Sequence, residues 1–298
     1  MRILLRAFFA MAVAMAWLIL PSCRKERLLL EKDPDAIGQF CRIDTFNFGS
    51  PPTYYEQVKV SYNGNGDPVS MHSLILPIED GPQFDNIFFR YDKYNRLTDL
   101  IYVYPDLGPH TGYPFGDIDS WQRFTYPSPR IVVDSFYNYD GPGISYAGPG
   151  DPPIANPLVA GNLTVNRYYL DEQGRTVKTE NLYVAAMDSG SFYTTYDRKG
   201  NKVIPGTVYD DKINSYRTNK VWQLIYQDYS LNNLIYPATA NSPASILSYD
   251  KWGLPLVYVA TQADPRQGLF DYFNDVTYLS LSYSCDESGS KLPPVSGQ

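Results

Sequence analysis

One short pattern recurs along this 298-residue chain and narrows what it can fold into. It reads Tyr, then Asp or Asn, then two free positions, then Gly or Asn. Copies stand at Tyr62-Asn63-Gly64-Asn65-Gly66, Tyr91-Asp92-Lys93-Tyr94-Asn95, Tyr196-Asp197-Arg198-Lys199-Gly200 and Tyr249-Asp250-Lys251-Trp252-Gly253. A fifth, Leu170-Asp171-Glu172-Gln173-Gly174, has Leu in the first position and Tyr168 and Tyr169 just before it. The chemistry is that of a β-hairpin turn. A carboxylate or amide in the second position bonds the backbone two residues on and starts the reversal. A residue that accepts positive φ three positions later closes it. The turn-forming residues are thus Asn63, Gly66, Asp92, Asn95, Asp171, Gly174, Asp197, Gly200, Asp250 and Gly253. Tyr ahead of the turn and alternating apolar residues behind it suit strands, so 88–91 and 97–102 read as the arms of one hairpin.

The copies begin at 62, 91, 170, 196 and 249, close to multiples of a unit of roughly 26 residues. Tyr126-Pro127-Ser128-Pro129-Arg130, followed by Ile131-Val132-Val133, is a candidate degenerate copy inside the longest gap. The expected fold is all-β: one large, twisted antiparallel sheet of sequential hairpins, with strands paired in chain order and a small irregular or short-helical insert. The insert is placed at 205–235, where the hairpin pattern breaks. There Asp210-Asp211-Lys212 reads as the opening of a helical turn, and 221–226 as a short apolar segment, helix or strand.

The hairpins resemble the YD repeats of RHS-type proteins. Over roughly residues 40 to 285 the chain is similar to a group of uncharacterised Bacteroidetes lipoproteins that use degenerate YD-like hairpins. Tyr209-Asp210-Asp211-Lys212-Ile213-Asn214-Ser215-Tyr216, then Ser230-Leu231-Asn232-Asn233, carries that likeness. The group usually reads Tyr-Asp-x-Lys-x-Asn-Pro-Tyr, then Ser-x-Asn-Asn, and Ser215 stands where Pro is usual. The resemblance implies a fold and no particular activity.

The first 22 residues read as a targeting segment. Arg2 and Arg6 precede an apolar run at 7–20 that is short for a bilayer span. Leu20-Pro21-Ser22-Cys23 resembles a bacterial lipobox, which makes Cys23 the lipidated residue of the mature chain. The alternative is an ordinary secretory signal with an incidental Cys. The expected location is therefore exported and lipid-anchored to the outer membrane, with residues 23–38 as lipidated N-terminus and linker. A single β domain is expected over 39–285 and a disordered tail over 286–298.

Charge argues against nucleic acid as a partner. The whole chain is at −7, with 25 basic and 32 acidic residues, and loss of Arg2 and Arg6 takes it to −9. Phosphate binding needs clustered Lys and Arg, and the one basic cluster, Arg24-Lys25-Glu26-Arg27, lies beside the lipid site. With Cys23 consumed, Cys41 and Cys285 remain near the first and last strands, as a candidate disulfide or as two separate buried thiols. A bridge would close roughly 245 residues, for which chain entropy gives on the order of 5 kcal/mol.

Residues 104–157 are dense in Pro and Gly with aromatics interleaved, and long irregular loops are where binding often resides. Tyr113, Trp121, Tyr126 and Tyr137 are the candidate ligand-binding residues, for a glycan, a peptide or another envelope partner. The competing reading is that these rings pack the loop. Catalytic motifs are sparse. His72 and His110 have no second His or Cys at ligand spacing, so no metal site and no cofactor are expected. Gly143-Ile144-Ser145-Tyr146-Ala147 ends on Ala and no His follows it, which excludes the Ser, acid, His order of hydrolases. Asp117 and Asp119 lack the rest of a calcium loop. The expectation is a non-catalytic binding or structural module. The alternatives are a carbohydrate-active enzyme whose carboxylates do not pair in sequence, or an RHS-like shell component.

Overall fold

The computed structural model describes residues 34–48, 56–74, 86–103, 118–138, 144–145, 154–155, 162–183, 190–235, 246–259 and 278–286. The chain is all-β, and most of its strands join one antiparallel sheet of thirteen. The first five strands are β1 (Cys41–Phe48), β2 (Glu56–Tyr62), β3 (Pro68–Ser73), β4 (Asn86–Tyr91) and β5 (Leu97–Val103). Next come β6 (Ile118–Ser128), β7 (Ile131–Asn138), the two-residue β8 (Ile144–Ser145) and β9 (Ile154–Ala155), then β10 (Asn162–Leu170), β11 (Thr176–Tyr183) and β12 (Gly190–Tyr193). The chain continues through β13 (Val208–Ile213), a 3-10 turn at Ser215–Thr218, helix α1 (Lys220–Tyr226) and β14 (Asn232–Ile235). It ends in β15 (Ile246–Tyr249), β16 (Pro255–Val259) and β17 (Tyr278–Cys285). In space the large sheet runs β12-β11-β10-β7-β6-β5-β4-β3-β2-β1-β17-β16-β15, with β13-β14 and β8-β9 as separate pairs.

Pairing in the large sheet follows chain order except at two places: β7 pairs with β10, passing over the separate β8-β9 pair, and β1 pairs with β17. The first strand lies beside the last, with Cys41 opposite Cys285 and Phe46 opposite Leu281. Cys41 and Cys285 are bonded as a disulfide across 244 residues of sequence.

The turns show why the repeated residues are needed. At Asp92 one carboxylate oxygen accepts the N–H of Tyr94 at 2.8 Å and of Arg96 at 3.0 Å. The Asp92 carbonyl accepts from Asn95 at 2.9 Å, and its own N–H donates to the Arg96 carbonyl at 3.0 Å. The same four bonds recur around Asn63, Asp171, Asp197 and Asp250. The closing position is left-handed in every copy: Gly66, Gly174, Gly200 and Gly253 have φ between 77° and 86°, and Asn95 has φ 60°.

The leading Tyr has a tertiary role. Three motif Tyr residues send the hydroxyl across to a carbonyl of a neighbouring strand or hairpin: Tyr62 to Ile43 at 2.6 Å, Tyr91 to Pro68 at 2.5 Å and Tyr196 to Thr176 at 3.0 Å. Tyr126, in the degenerate copy, does the same to Leu97 at 2.8 Å, and Tyr283 of β17 does so to Pro255 at 2.8 Å. Tyr249 differs, giving its hydroxyl to the Asp210 carboxylate at 2.6 Å. Pro68, Leu97, Thr176 and Pro255 are all the first residues of return strands. Where the turn is followed by Arg, a second tie forms. Arg96 pairs with Asp92 and lies 4.3 Å over the Tyr126 ring, and Arg175 pairs with Asp171 and lies 4.1 Å over the Tyr196 ring.

One face of the sheet packs Phe46, Val58, Val60, Met71, Phe89, Leu100 and Phe124 against the insert. Trp222 of α1 is fully buried there, edge-on to Phe46 at 6.0 Å and to Phe89 at 5.8 Å. The helix is short, and Asn219 supplies its N-cap by accepting the Val221 N–H at 2.8 Å. Two expectations are corrected. Residues 34–38 are not linker: Pro34–Gln39 is a 3-10 turn with Ala36 and Ile37 buried, and Ile37 packs with Phe40 against Cys41 and Leu254 at the β1 end. Asp210-Asp211-Lys212 lies in strand β13 rather than in a helical turn, as an irregularity between the Tyr209–Leu234 and Ile213–Asn232 pairs that the Asp210 carboxylate ties to Asn233. The tail from 287 to 298 and the segment 1–33, including Cys23, lie outside the described residues.

Two stability outcomes are expected. Gly174 has open space around a built Cβ, so Gly174→Val reads backbone strain alone and should cost roughly 1–2 kcal/mol in urea unfolding, whereas Asn95→Gly should change little. Tyr91→Phe removes only the hydroxyl bond to Pro68 and should cost about 1 kcal/mol, an unchanged melting curve being the contrary result.

Candidate functional site

The residues singled out as ligand-binding fall in different places. Trp121 on β6 stands opposite Ile101 of β5 and Tyr137 of β7, on the sheet face away from Trp222. It is 2% exposed, its indole N–H donates to Asp99 at 3.0 Å, and Tyr137 stacks on it at 4.9 Å. This is a correction: Trp121 is a core residue of that face, packed with Ile101 and Val103, and offers no surface to a ligand. Tyr137 is spent covering it. Tyr126 is half-buried and ties β6 to β5 through the Leu97 carbonyl. Tyr113 lies outside the described residues.

The segment that carried the family likeness is a polar joint. Asp210 accepts four hydrogen bonds: from the N–H of Lys212 and of Asn233, both at 3.0 Å, from the Asn233 amide at 3.0 Å and from the Tyr249 hydroxyl at 2.6 Å. Asn214 accepts the Tyr216 N–H at 3.0 Å and donates to Asp228 at 2.9 Å. The Asn201 amide donates to the Asn232 side chain and accepts the Asn232 backbone N–H. Ser215 meets the Tyr258 hydroxyl at 2.8 Å, a bond that Pro could not make. Asn219, besides capping α1, donates to the Gly66 carbonyl at 3.0 Å and so anchors the insert to the first turn. These groups are consumed by architecture.

Two further carboxylates are buried in the sheet. Glu56 accepts the Ser73 hydroxyl, and burial pushes its carboxyl up. Asp134 on β7 is 2% exposed and accepts from Gln122 at 2.9 Å and from the Tyr168 hydroxyl at 2.9 Å. Burial pushes its carboxyl up to about 6 against these bonds. Burial, and after it the Asp134 charge, holds the Tyr168 phenol high. The parity of β7 places Asp134 on the same face as Val132, inside the core, so the group answers to pH without facing a substrate.

The accessible chemistry sits on β10–β12. Register aligns Tyr169, Lys178 and Tyr193 across the three strands, with Arg167, Glu180 and Ser191 in a neighbouring row. The Lys178 ammonium lies 5.0 Å from the Tyr169 ring and 5.7 Å from the Tyr193 ring. Glu180 gathers Lys178 at 2.6 Å, the Tyr169 hydroxyl at 2.7 Å and Arg167 at 3.2 Å. Those bonds, that from Lys178 first, hold the Glu180 carboxyl low and keep it ionised. Tyr193 is 76% exposed. Flat rings beside fixed donors and an acceptor can stack on and hydrogen-bond a polyhydroxylated ring. Composition alone could not single out this strip among 27 Tyr residues, because it exists only through the register. Among the described residues no group of three or more His, Cys, Asp or Glu is placed to hold a metal.

The chain matches no protein-family model and no curated protein.

The Asp134 geometry sets an expected pH dependence. Its carboxyl rises from 3.8 to about 6 on folding, so the folded chain binds the extra proton between those values. The stabilising share is complete below about 3.8 and is lost as pH rises through about 6, a difference on the order of 3 kcal/mol. Asp134→Asn keeps an acceptor for Gln122 and Tyr168, and should raise stability near pH 7.5 by about 1–3 kcal/mol with the gain shrinking near pH 4.5. Urea unfolding at the two pH values checks it.

Proposed function

We propose that this chain is an exported lipoprotein, anchored through Cys23 to the outer membrane, that acts as a non-catalytic binding module for a glycan of the cell envelope. It belongs, on this reading, with the YD-like, RHS-related hairpin lipoproteins that its turns and the Tyr209-to-Asn233 segment resemble. The observation that carries export is the Cys41–Cys285 bond between the first and last strands. Structural disulfides of this kind persist in oxidising compartments and are rare in the cytosol of mesophiles. The charged start, apolar run and Leu20-Pro21-Ser22-Cys23 end add the route and the anchor. No helix among the described residues is long and apolar enough to cross a membrane.

The binding surface is the β10–β12 strip. Tyr169 and Tyr193 offer rings for the apolar face of a sugar, and Arg167, Lys178 and Glu180 offer oriented donors and an acceptor for its hydroxyls. The buried acids Glu56 and Asp134, and the acids committed to turns, favour binding over turnover.

Fractionation of cells producing the full chain tests the first part. Cys23→Ala should abolish lipid labelling and release the protein from the membrane fraction, and retention with labelling intact would reject the anchor. A screen of glycans and peptidoglycan fragments tests the second. Tyr193→Ala should weaken each hit by about tenfold or more, since a stacked ring contributes on the order of 1–2 kcal/mol, while Tyr94→Ala, an exposed turn ring, should not. Equal binding by both variants would move the site away from the strip.

A further inference from the structure

The large sheet ends at β12, and the way it ends leaves a defined set of backbone groups open. Register places Tyr193 opposite Lys178, Phe192 opposite Thr179 and Ser191 opposite Glu180. The Thr194 N–H donates to the Val177 carbonyl at 2.9 Å. Hydrogen-bonded and non-hydrogen-bonded pairs alternate along an antiparallel ladder. Gly190, Phe192 and Thr194 therefore turn their N–H and C=O to β11, and Ser191 and Tyr193 turn theirs outward. The following segment begins to occupy that outward side, where the Val203 N–H donates to the Thr195 carbonyl at 2.8 Å. The next outward pair would set Tyr193 against Pro205, which has no N–H. The chain leaves at that point through a turn in which Gly206 has φ 78° and Thr207 N–H returns to the Ile204 carbonyl at 3.2 Å. Among the described residues nothing pairs with the outward groups of Ser191 and Tyr193.

The side chains at this edge are unlike those of a protected one. Edge strands are usually blunted by Lys, Pro or bulges. Gly190-Ser191-Phe192-Tyr193 has none of these. The opposite edge, β15, carries two register irregularities and is tied inward by Tyr249 to Asp210. Six large apolar side chains are markedly exposed among the described residues, and three of them lie here: Phe192 at 64%, Tyr193 at 76% and Val203 at 53%.

We propose that β12 pairs antiparallel with β12 of a second copy of this chain, about a two-fold axis at Phe192. The edge is self-complementary in that arrangement. Ser191 of each copy faces Tyr193 of the other, and each such pair exchanges both of its outward N–H···O bonds. Phe192 meets its symmetry mate in the non-hydrogen-bonded position, where side chains approach closest. On the other face the large Tyr193 ring covers the small Ser191 of the second copy. β12 carries no charge, so the symmetry sets no like charges against each other. An unrelated extended peptide would satisfy the backbone but would meet this side-chain pattern only by chance. The contact is a four-residue strand, small beside a stable interface, so the dimer forms in a concentration-dependent equilibrium. An axis of this kind keeps the two β10–β12 strips on one face, but the pairing does not depend on what they bind.

Cross-linking and sedimentation of the full chain test the pairing. Phe192→Cys should give a disulfide-linked dimer under mild oxidation of isolated membranes, because partners in this position bring their Cα atoms to about 4.5 Å. Tyr94→Cys, equally exposed on a distant turn, should not. In sedimentation the wild type should self-associate as concentration rises. Phe192→Lys and Phe192→Asp should each weaken association on the order of tenfold, and their mixture should restore it. Ser191→Pro removes an outward donor and no inward one, so it should weaken association while the melting curve stays put. Absence of a cross-link in Phe192→Cys overturns the proposal, and so does association that neither the charge pair nor Ser191→Pro alters. If the charged variants fold poorly, the cross-link still decides.

Discussion

A phenol bonded to the first carbonyl of a neighbouring return strand turns a string of hairpins into one sheet. An isolated two-stranded hairpin is marginal in water, and each turn here fixes only its own two arms. Nothing in the turn says where the next hairpin must lie. Tyr91 supplies that by reaching Pro68, Tyr126 by reaching Leu97 and Tyr196 by reaching Thr176. Because each of these targets is the residue where a return strand begins, the tie sets the relative height of adjacent hairpins. A slip by one residue would exchange the two faces, taking Phe89 and Leu100 off the core face and putting Arg90 and Asp99 onto it. Arg96 and Arg175 reinforce the tie by holding the turn carboxylate with one side of the guanidinium and the next Tyr ring with its face.

A sheet stapled in this way still leaves its inner face to be covered, and the 213–230 insert does that work. Its helix spans only Lys220–Tyr226, too short to be stable on its own. It is held by what surrounds it: Trp222 wedged between Phe46 and Phe89, Asn219 bonded to the Gly66 carbonyl, and Asn214 bonded to Asp228. The β1–β17 pairing and the Cys41–Cys285 bond then join the first and last strands within the same sheet. The polar residues of the Tyr209-to-Asn233 segment, which carried the family likeness, are the mortar between insert and sheet.

What the sequence disclosed and what it concealed divide along the range of the interactions. The turns were readable because every bond in them is local: Asp92 needs only Tyr94, Asn95 and Arg96. The role of the Tyr was not, because Tyr91 and Pro68 are 23 positions apart and strand propensity already accounts for a Tyr there. Trp121 misled for a related reason. An isolated strand shows its alternation but not which face is covered, and here both faces are, by Trp222 on one side and by the Trp121, Ile101 and Val103 cluster on the other. Asp210 read as a helix opener because Asp accepts local backbone bonds in many settings, and only the Tyr209–Leu234 and Ile213–Asn232 pairs on either side, with its carboxylate on the Asn233 N–H, settle the matter. The β10–β12 strip has no local signature at all. Tyr169, Lys178 and Tyr193 are ordinary residues until the register aligns them.

The end of the sheet shows the same division in reverse. A fold that grows by adding hairpins stops when the motif decays or when a strand is refused. At β12 the motif has not decayed: Asp197 makes the full set of turn bonds, Gly200 is left-handed at φ 85°, Tyr196 reaches Thr176 and Arg175 stacks on Tyr196. The return arm even makes its first bond, from Val203 to Thr195. Every condition for one more strand is met until position 205, where Pro removes the donor that the ladder needs. The edge at Ser191 and Tyr193 therefore results from one residue acting on a hairpin otherwise competent to continue. Such an edge differs from a frayed one. Its strand is regular, its outward groups are spaced for a ladder, and its aromatic side chains, Phe192 and Tyr193, stand exposed on the subunit.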